Sequence, residues 1–414
     1  LSKKDRILQQ DLDYLELAFK LAQNGELTTS PNPPVGCVLV KDETVIGEGW
    51  HQWSGQAHAE VNAIADAIAK EHNTEGATAY VTLEPCNHTG ETPPCTEALL
   101  RAKICRVVIA LVDVDKRTAG LGIEKLKANG IIVDSKLAEG TQLQKKVKKL
   151  CRGYLSRTVK KRPWISLKIA SSLDGKVALN NGESQWITGE EARADVHLLR
   201  CKADVILTTS RTIEVDNPRF TVRLCERQKQ QLGLSKLEQE LTQPVLAILS
   251  SRLSIPVNPD IQIFHTDRKI WIFYDEQMAT EKVADFEQAL NSIDGMLAKV
   301  RLIPVATRNE NAKVGLNLHK IFAYFGEKQI NSVFVEAGAQ LNGSLLQAKK
   351  EAENQEGFYP LIDECIYYIN TKVMGHQAHS SFVTSMISRM QDVHSFSIQE
   401  IEKLSQSDIK LVLR

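Results

Sequence analysis

The apolar positions of this chain switch between a period near 3.6 and short unbroken runs, the pattern of helices alternating with buried strands. Asp11 to Asn24 carries Leu15, Ala18, Phe19 and Ala22 on one helical face, and Gly36 to Val45 reads as a single strand through Cys37-Val38-Leu39-Val40. A helix over His58 to Lys70 and a strand over Ala79 to Leu83 follow. Next come a short helix over Pro94 to Ala102, a strand over Arg106 to Val112, a helix over Gly122 to Asn129 and a strand over Ile131 to Val133. This alternation predicts an α/β sandwich over the first ~145 residues.

Thr141 to Arg162 breaks the rhythm, with nine Lys/Arg and no Asp/Glu. It reads as a solvated helix plus linker, or else as a nucleic-acid patch, which the neutrality of the whole chain disfavours. Arg162-Pro163 ends it, because a residue before proline is pushed out of the helical region. The boundary is placed between Lys148 and Pro163, giving domains 1–150 and 151–414. Strand patterns then recur at Trp164 to Ile169, Asp204 to Leu207, Val245 to Leu249, Lys269 to Phe273, Ser332 to Val335 and Glu364 to Ile369, with helical patterns between most of them. A second α/β domain is predicted. Cys225 to Gln243 and Lys349 to Gly357, polar and poor in β-branched residues, read as surface insertions.

Charge and composition narrow the function classes. The 414 residues hold 51 Lys/Arg and 51 Asp/Glu, with 43% hydrophobic and 25% charged residues, the make-up of an ordinary globular chain. A dedicated nucleic-acid binder carries a basic excess that is missing here, and no apolar run approaches the roughly 18 residues of a membrane span. The N-terminus leads into an amphipathic stretch and not the apolar core of a secretory signal. The eight cysteines are therefore expected in a reducing cytoplasm, where they serve metals or catalysis and not cross-links.

His58-Ala59-Glu60 opens the second helix, Cys86 follows Glu84-Pro85, and Cys95 follows Pro93-Pro94. Two thiolates and an imidazole suit zinc, and three protein ligands leave a fourth position to water, as in a catalytic site. Zinc brings the pKa of its water to about 7, and Glu60, beside a ligand but not one itself, is placed to shuttle the proton. Pro85 suits a first helical position, so helix starts are expected at both His58 and Cys86, each favouring thiolate and hydroxide. Cys37, Cys105, Cys151, Cys201, Cys225 and Cys365 are read as small hydrophobes.

H-x-E followed by P-C is the pattern of zinc deaminases of the cytidine-deaminase type, although eight residues separate Cys86 from Cys95 where two are usual. Together with Thr29-Ser30-Pro31-Asn32-Pro33-Pro34-Val35-Gly36, Gly47-Glu48-Gly49-Trp50-His51 and Val81-Thr82-Leu83-Glu84-Pro85-Cys86, the Cys86 to Cys95 segment resembles the deaminase half of the bifunctional riboflavin-biosynthesis deaminase/reductases. The resemblance implies a cytidine-deaminase-like α/β/α sandwich with one zinc per deaminase domain and a pyrimidine pocket lined by Asn32, His51 and His88. Glu91 stands where that family carries a basic residue for the substrate phosphate, and Asp113-Val114-Asp115-Lys116 replaces a D-P-N-P loop. Lys116 and Arg117 are the candidates for the missing positive charge.

The second half is similar to the reductase half of the same family. The similarity lies on Leu167 to Lys176, Gly182 to Thr188, Asp216-Asn217-Pro218 with Thr221-Val222-Arg223, and Val335 to Gly343. It implies a dihydrofolate-reductase-like α/β domain that uses NADPH. Gly338 to Gly343, between strand and helix, can cradle a pyrophosphate on backbone N–H groups or be a plain tight turn. Ser250-Ser251-Arg252, at a strand end, can hold an adenosine 2′-phosphate or be merely a polar strand end. Arg200 and Arg223 are either partners of the ribose 5-phosphate or surface arginines. By family position the cofactor residues are Ala170, Trp186, Thr212, Asp216, Ser251, Arg252, Gly338, Ala339, Gln340, Leu341, Asn342, Gly343 and Ser344. The reductase substrate residues are Ser184, Arg200, Asp216, Phe220, Arg223 and Glu336. Lys168, Asp216 and Glu336 are candidates for the proton donor of the hydride step, with Lys168 the catalytic candidate. Gly120-x-Gly122, which lacks a third glycine, is set aside.

Zinc hydrolysis and hydride transfer fit one small pyrimidine ribonucleotide. Its amino group is replaced by a carbonyl oxygen with release of ammonia, and its ribosyl chain is then opened and reduced at C1 to ribityl. No nucleic-acid or membrane partner is expected, and the family implies a homo-oligomer, dimer or tetramer, through the reductase domain. Three readings compete. A deaminase of the tRNA-adenosine type conflicts with the zero net charge and the cysteine spacing. A zinc-stabilised scaffold has no use for Glu60 or an open ligand position. A true dihydrofolate reductase leaves the fused deaminase and the Asp216 to Arg223 segment unexplained.

Overall fold

A computed structural model describes residues 3–90, 93–116, 118–232, 242–293, 295–310, 313–348 and 360–414. It divides into two compact units, Leu1–Lys161 and Arg162–Arg414. The division lies inside the Lys148 to Pro163 window and gives residues 151–161 to the first unit, because Tyr154 and Leu155 pack on that unit's core.

The first unit runs α1 (Lys3–Gln23), β1 (Gly36–Lys41), β2 (Thr44–Trp50), α2 (Ala59–Ala69), β3 (Thr78–Val81), α3 (Cys95–Arg101), β4 (Arg106–Ile109), α4 (Leu121–Ala128), β5 (Ile132–Asp134), α5 (Gln142–Leu150) and α6 (Arg152–Lys160). Its sheet has the order β2-β1-β3-β4-β5, antiparallel around β1 and parallel from β3 onward. Both faces are covered, which is why the strands read as continuous apolar runs and not as alternations. Cys37 and Leu39 face Ala59, Ala63 and Ala67 of α2 and Leu99 of α3. Val38 and Val40 face Leu15 and Ala18 of α1 and Leu143 and Val147 of α5.

Two elements differ from the sequence reading. The single strand over 36–45 is a hairpin that turns at Asp42 and Glu43, both at positive φ. That backbone matches the twist of the flanking strands, but neither residue is the glycine or asparagine that would announce it. Helix α1 begins at Lys3 and not Asp11; Leu8 and Gln9 are exposed, so they add nothing to the apolar face by which the sequence marks the helix. The basic stretch is the helix pair α5 and α6.

The second unit runs β6 (Trp164–Ser172), β7 (Lys176–Ala178), α7 (Glu190–Cys201), β8 (Val205–Thr209), α8 (Ser210–Asp216), α9 (Glu226–Gln231), β9 (Val245–Leu249), β10 (Ile270–Asp275), α10 (Thr280–Asn291), α11 (Met296–Lys299), β11 (Val300–Val305), β12 (Thr307–Glu310), β13 (Lys313–Leu316), α12 (Leu318–Glu327), β14 (Ser332–Val335), α13 (Ala339–Leu346), β15 (Glu364–Asn370), β16 (His379–Ser380), β17 (Ile398–Lys403) and β18 (Asp408–Leu413). A nine-stranded sheet has the order β11-β10-β9-β8-β14-β6-β15-β18-β17. It is parallel from β11 to β15 and antiparallel beyond. Residues 233–241 of the first proposed insertion, and the whole of the second, lie outside the described residues. The sequence reading misses the edge strands. Pro304 interrupts the apolar run of β11 and is tolerated because the strand is at an edge, and β17 is exposed along its whole length and carries no apolar signature.

This topology brings predicted cofactor residues to neighbouring strands together with Glu336 and Lys168, predicted for substrate binding and catalysis. Thr212 follows β8, Ser251 and Arg252 follow β9, Glu336 and Gly338 follow β14, and Lys168 and Ala170 lie on β6. Those four strands are neighbours, and in open parallel sheets ligands bind beyond the carboxyl ends of the strands. Among the described residues no helix is long and apolar enough to cross a membrane.

Candidate functional site

In the first unit His58, Cys86 and Cys95 converge, their ligand atoms all within 4.8 Å of one another. His58 is the N-cap of α2 in an extended conformation, Cys95 is the first residue of α3, and Cys86 lies in the irregular segment after β3. His58 Nδ1 is 3.2 Å from Cys95 Sγ and 3.6 Å from Cys86 Sγ, and the two sulfurs are 3.4 Å apart. A tetrahedral zinc with ordinary bond lengths spans ligand pairs of about 3.6–3.8 Å, so the three atoms form one face of such a site with little adjustment. Hydrogen bonding from Cys95, by thiol and by backbone N–H at 3.3 Å, lowers the Cys86 thiol to about 4. The same contact, with burial, pushes Cys95 well up. Zinc is held by thiolates, so its binding displaces the protons of both thiols.

The expected helix start at Cys86 is not found. The Cys86 carbonyl accepts the N–H of Thr96 at 3.2 Å, so the ligand loop caps α3, whose N-cap is Pro94, and Pro85 stands at no helix start. The two helix starts at the centre are those of α2 and α3.

Glu60, in the first turn of α2, is buried. Burial, then the Cys86 thiolate, raises its carboxyl above the usual range, as suits a group that carries a proton. His51 is buried beside His58, with ring centroids 5.0 Å apart. Its Nδ1 lies 3.1 Å from the Ala57 carbonyl and must donate to it, which leaves Nε2 to accept from the Asn32 amide at 3.2 Å. Burial lowers its pKa and keeps this ring neutral. His88 Nδ1 lies 3.3 Å from Thr118 Oγ1. Glu91 and Arg117 lie outside the described residues, and Lys116 is exposed.

Sequence reasoning gave no role to Glu84. Its buried carboxylate accepts the backbone N–H groups of Asp113 and Gly120 on one oxygen and of Ile123 on the other, at 3.1–3.3 Å. It thereby caps α4 from outside, a task Gly120 has no side chain to perform. Gly122, set aside as half a motif, has a packing reason: a Cβ there would meet the Pro85 carbonyl at 2.3 Å. The loop bearing Cys86 is pressed onto α4, and only a glycine permits it. Three of the six cysteines read as small hydrophobes are buried (Cys37, Cys151 and Cys365), but Cys105 and Cys225 are exposed and Cys201 is half-buried.

In the second unit Arg200 of α7 and Glu336 form a bidentate pair, 2.5 Å from Nε and 2.9 Å from Nη2, and Arg200 Nη1 donates to the Thr221 carbonyl. The guanidinium offered to a phosphate is thus occupied on every nitrogen. Arg223 is exposed, tied to Thr221 Oγ1 at 2.9 Å. Burial lowers the Lys168 pKa, Glu336 opposes that shift, and Arg200 adds to it. Ser184 reaches Asp216 at 3.4 Å. Phe220 is buried in the core beside β9 and β10, so it shapes its loop and offers no exposed ring. Trp186 is exposed, with Arg193 4.6 Å above its ring. Thr212 bonds Thr209 across the first turn of α8. Ser251 is half-buried and Arg252 exposed.

The Gly338 to Ser344 segment divides in two. Gly338 caps α13, and it, Gln340 and Ser344 are exposed while Ala339 is half-buried. Leu341, Asn342 and Gly343 point inward: Asn342 Nδ2 donates to the Ser381 carbonyl, and a Cβ on Gly343 would lie 1.8 Å from the Val383 carbonyl oxygen. Gly343 is required for packing.

Comparisons with known proteins agree in both halves. The chain matches the zinc-binding region of cytidine and deoxycytidylate deaminases over residues 8–111 and the RibD C-terminal domain over residues 163–403. It is 38% identical to the riboflavin biosynthesis protein RibD of Escherichia coli over 95% of this chain and 96% of that one, and 37% identical to that of Haemophilus influenzae over 97% and 96%. Among solved structures it resembles Acinetobacter baumannii RibD with a TM-score of 0.80 at 32% identity, covering 98% of this chain and 99% of that one. The Thermotoga maritima diaminohydroxyphosphoribosylaminopyrimidine deaminase/5-amino-6-(5-phosphoribosylamino)uracil reductase gives 0.77 at 29% identity, with the same coverage. A zinc-binding deaminase half and a reductase half, matched over nearly the whole length, place the chain in the RibD family of bifunctional enzymes that carry out the deaminase and then the reductase step of riboflavin biosynthesis.

Proposed function

We propose a residue-level account of the two steps. In the first, His58, Cys86 and Cys95 hold zinc, which acidifies water for hydrolysis at the pyrimidine amino group. Asn32, oriented by the neutral His51, and His88, oriented by Thr118, hold the pyrimidine. Glu60 accepts the proton from water and returns it to the departing nitrogen, which leaves as ammonia. The convergence of one imidazole and two thiol groups beside a buried, non-ligating carboxylate supports this reading above all others. Asn32→Ala and His88→Ala should each raise the deaminase KM roughly ten- to a hundredfold, the cost of one lost polar contact in a buried site, with zinc content and the reductase step intact. An unchanged KM in both variants would remove them from the pocket.

In the second step the reductase half would hold NADPH, which would supply the hydride for C1 of the opened ribosyl chain. The α13 N-terminus at Gly338 and Ala339 receives the pyrophosphate, Ser251 and Arg252 the 2′-phosphate, and exposed Arg223 the substrate phosphate. Arg200 instead fixes Glu336 and the Thr221 loop. Lys168, whose lowered pKa eases proton release, is the proton donor. Arg252→Ala should raise the KM for NADPH roughly tenfold or more, the worth of a charge-assisted contact, and leave that for NADH nearly unchanged. A uniform loss with both cofactors would place Arg252 elsewhere. The cluster of these residues at adjacent strand ends supports the account, and the family resemblance supports assembly through the reductase half.

A further inference from the structure

Helix α6, the last element before the second unit, contacts two loops of the first unit, one that carries Asn32 and one that carries Thr118, the partner of His88. Tyr154 donates its hydroxyl to both oxygens of Asp113, at 2.9 and 3.1 Å. Asp113 in turn accepts the N–H of Asp115, and the Asp115 carbonyl accepts those of Thr118 and Ala119 at 2.8 and 2.7 Å. This turn presents the Thr118 hydroxyl to His88. One helical turn on, Arg157 donates to the Pro31 carbonyl at 3.0 Å, immediately before Asn32, whose amide meets His51. The Cys151 thiol lies 3.7 Å from the Pro34 carbonyl, on the far side of Asn32. The Arg157 guanidinium also lies 5.8 Å above the Tyr154 ring, so the two side chains brace each other.

We propose that α6 belongs to the deaminase site, with Tyr154 and Arg157 as positioning residues that set the 113–118 and 31–34 loops in register for the pyrimidine. The inference rests on the assignment of Asn32 and His88 to the pocket. Neither side chain is a metal ligand or adjoins one in sequence, so loss of either leaves the zinc-binding atoms in place. Binding geometry shifts instead, and a displacement of about 1 Å costs up to ~10²-fold.

The test uses the full-length zinc-loaded enzyme and four variants: Tyr154→Phe, Arg157→Met, Asn32→Ala and His88→Ala. Tyr154→Phe and Arg157→Met should each lower deaminase kcat/KM by roughly 10–100-fold, the usual effect of removing a group that orients another. The loss should fall mainly in KM, with zinc per chain and reduction of the pre-deaminated nucleotide unchanged. Arg157→Lys, which can still donate to the Pro31 carbonyl, should recover part of the loss. Unaltered deaminase kinetics in Tyr154→Phe and Arg157→Met, while Asn32→Ala or His88→Ala raises KM, would overturn the proposal and leave the pocket assignment standing. Unaltered KM in Asn32→Ala and His88→Ala would overturn the pocket assignment and the proposal with it. Zinc loss in Tyr154→Phe, an almost isosteric change, would also overturn the proposal, since it would mark the residue as a support of the fold alone.

Discussion

Cys86→Ala should abolish both zinc binding and deamination while the same chain still reduces a pre-deaminated substrate. The variant leaves His58 and Cys95, two ligands where zinc sites use three or four. It also removes the Cys86 contact, and the Cys95 thiol that remains is still buried and faces Glu60, both of which oppose its ionisation. Deamination should fall by more than ~10³-fold, beyond the 10–100-fold that follows loss of a group merely orienting a ligand. The reductase unit has its own sheet and core, so NADPH oxidation should persist. Metal analysis per chain and ammonia release provide the check, and full zinc content in the variant would exclude Cys86 as a ligand.

Glu60→Gln should separate metal from proton transfer. The amide matches the carboxylate in shape, and the position is buried in the first turn of α2, so zinc should remain near one per chain. An amide cannot accept and return a proton, and deamination should drop by roughly 10²–10⁴-fold, the worth of a positioned acid/base. A near-normal rate with zinc retained would exclude Glu60 from the proton path. A drop that tracks zinc loss would make it a structural support of the centre.

The metal centre was legible because its chemistry lies in residue types. An imidazole, two thiols and a nearby carboxylate have few other joint uses, and the chain order H-x-E then P-C survives whatever the loop does. The path of that loop was not legible. Pro85 pointed to a helix at Cys86, whereas the Cys86 carbonyl caps the helix that starts at Cys95. The hairpin turn at Asp42-Glu43 was hidden because the pairing of Lys41 with Thr44 sets positive φ on two exposed residues, neither of them the glycine or asparagine that marks such a turn.

Local pattern by itself marked the two α/β halves and the zinc-type ligand set, since burial on both faces of a sheet and ligand-type side chains leave marks within a few residues, whereas the pyrimidine and nicotinamide chemistry came only with the resemblance to a family. The tertiary structure decided which polar groups are free to meet a ligand. Arg200 reads like a phosphate partner or a surface arginine, but the fold sets it, largely buried, in a bidentate pair with Glu336, 136 residues away. Gly343 belongs to a segment that reads like a phosphate loop or a plain tight turn, and Gly122 to a motif set aside, but each is required because a Cβ there would overlap a neighbouring carbonyl oxygen. Glu84 and Tyr154 had no readable role, because their partners lie 29 to 41 residues downstream or upstream. Hydrogen bonds and close backbone approach act between strangers in sequence, and only the folded chain brings those strangers together.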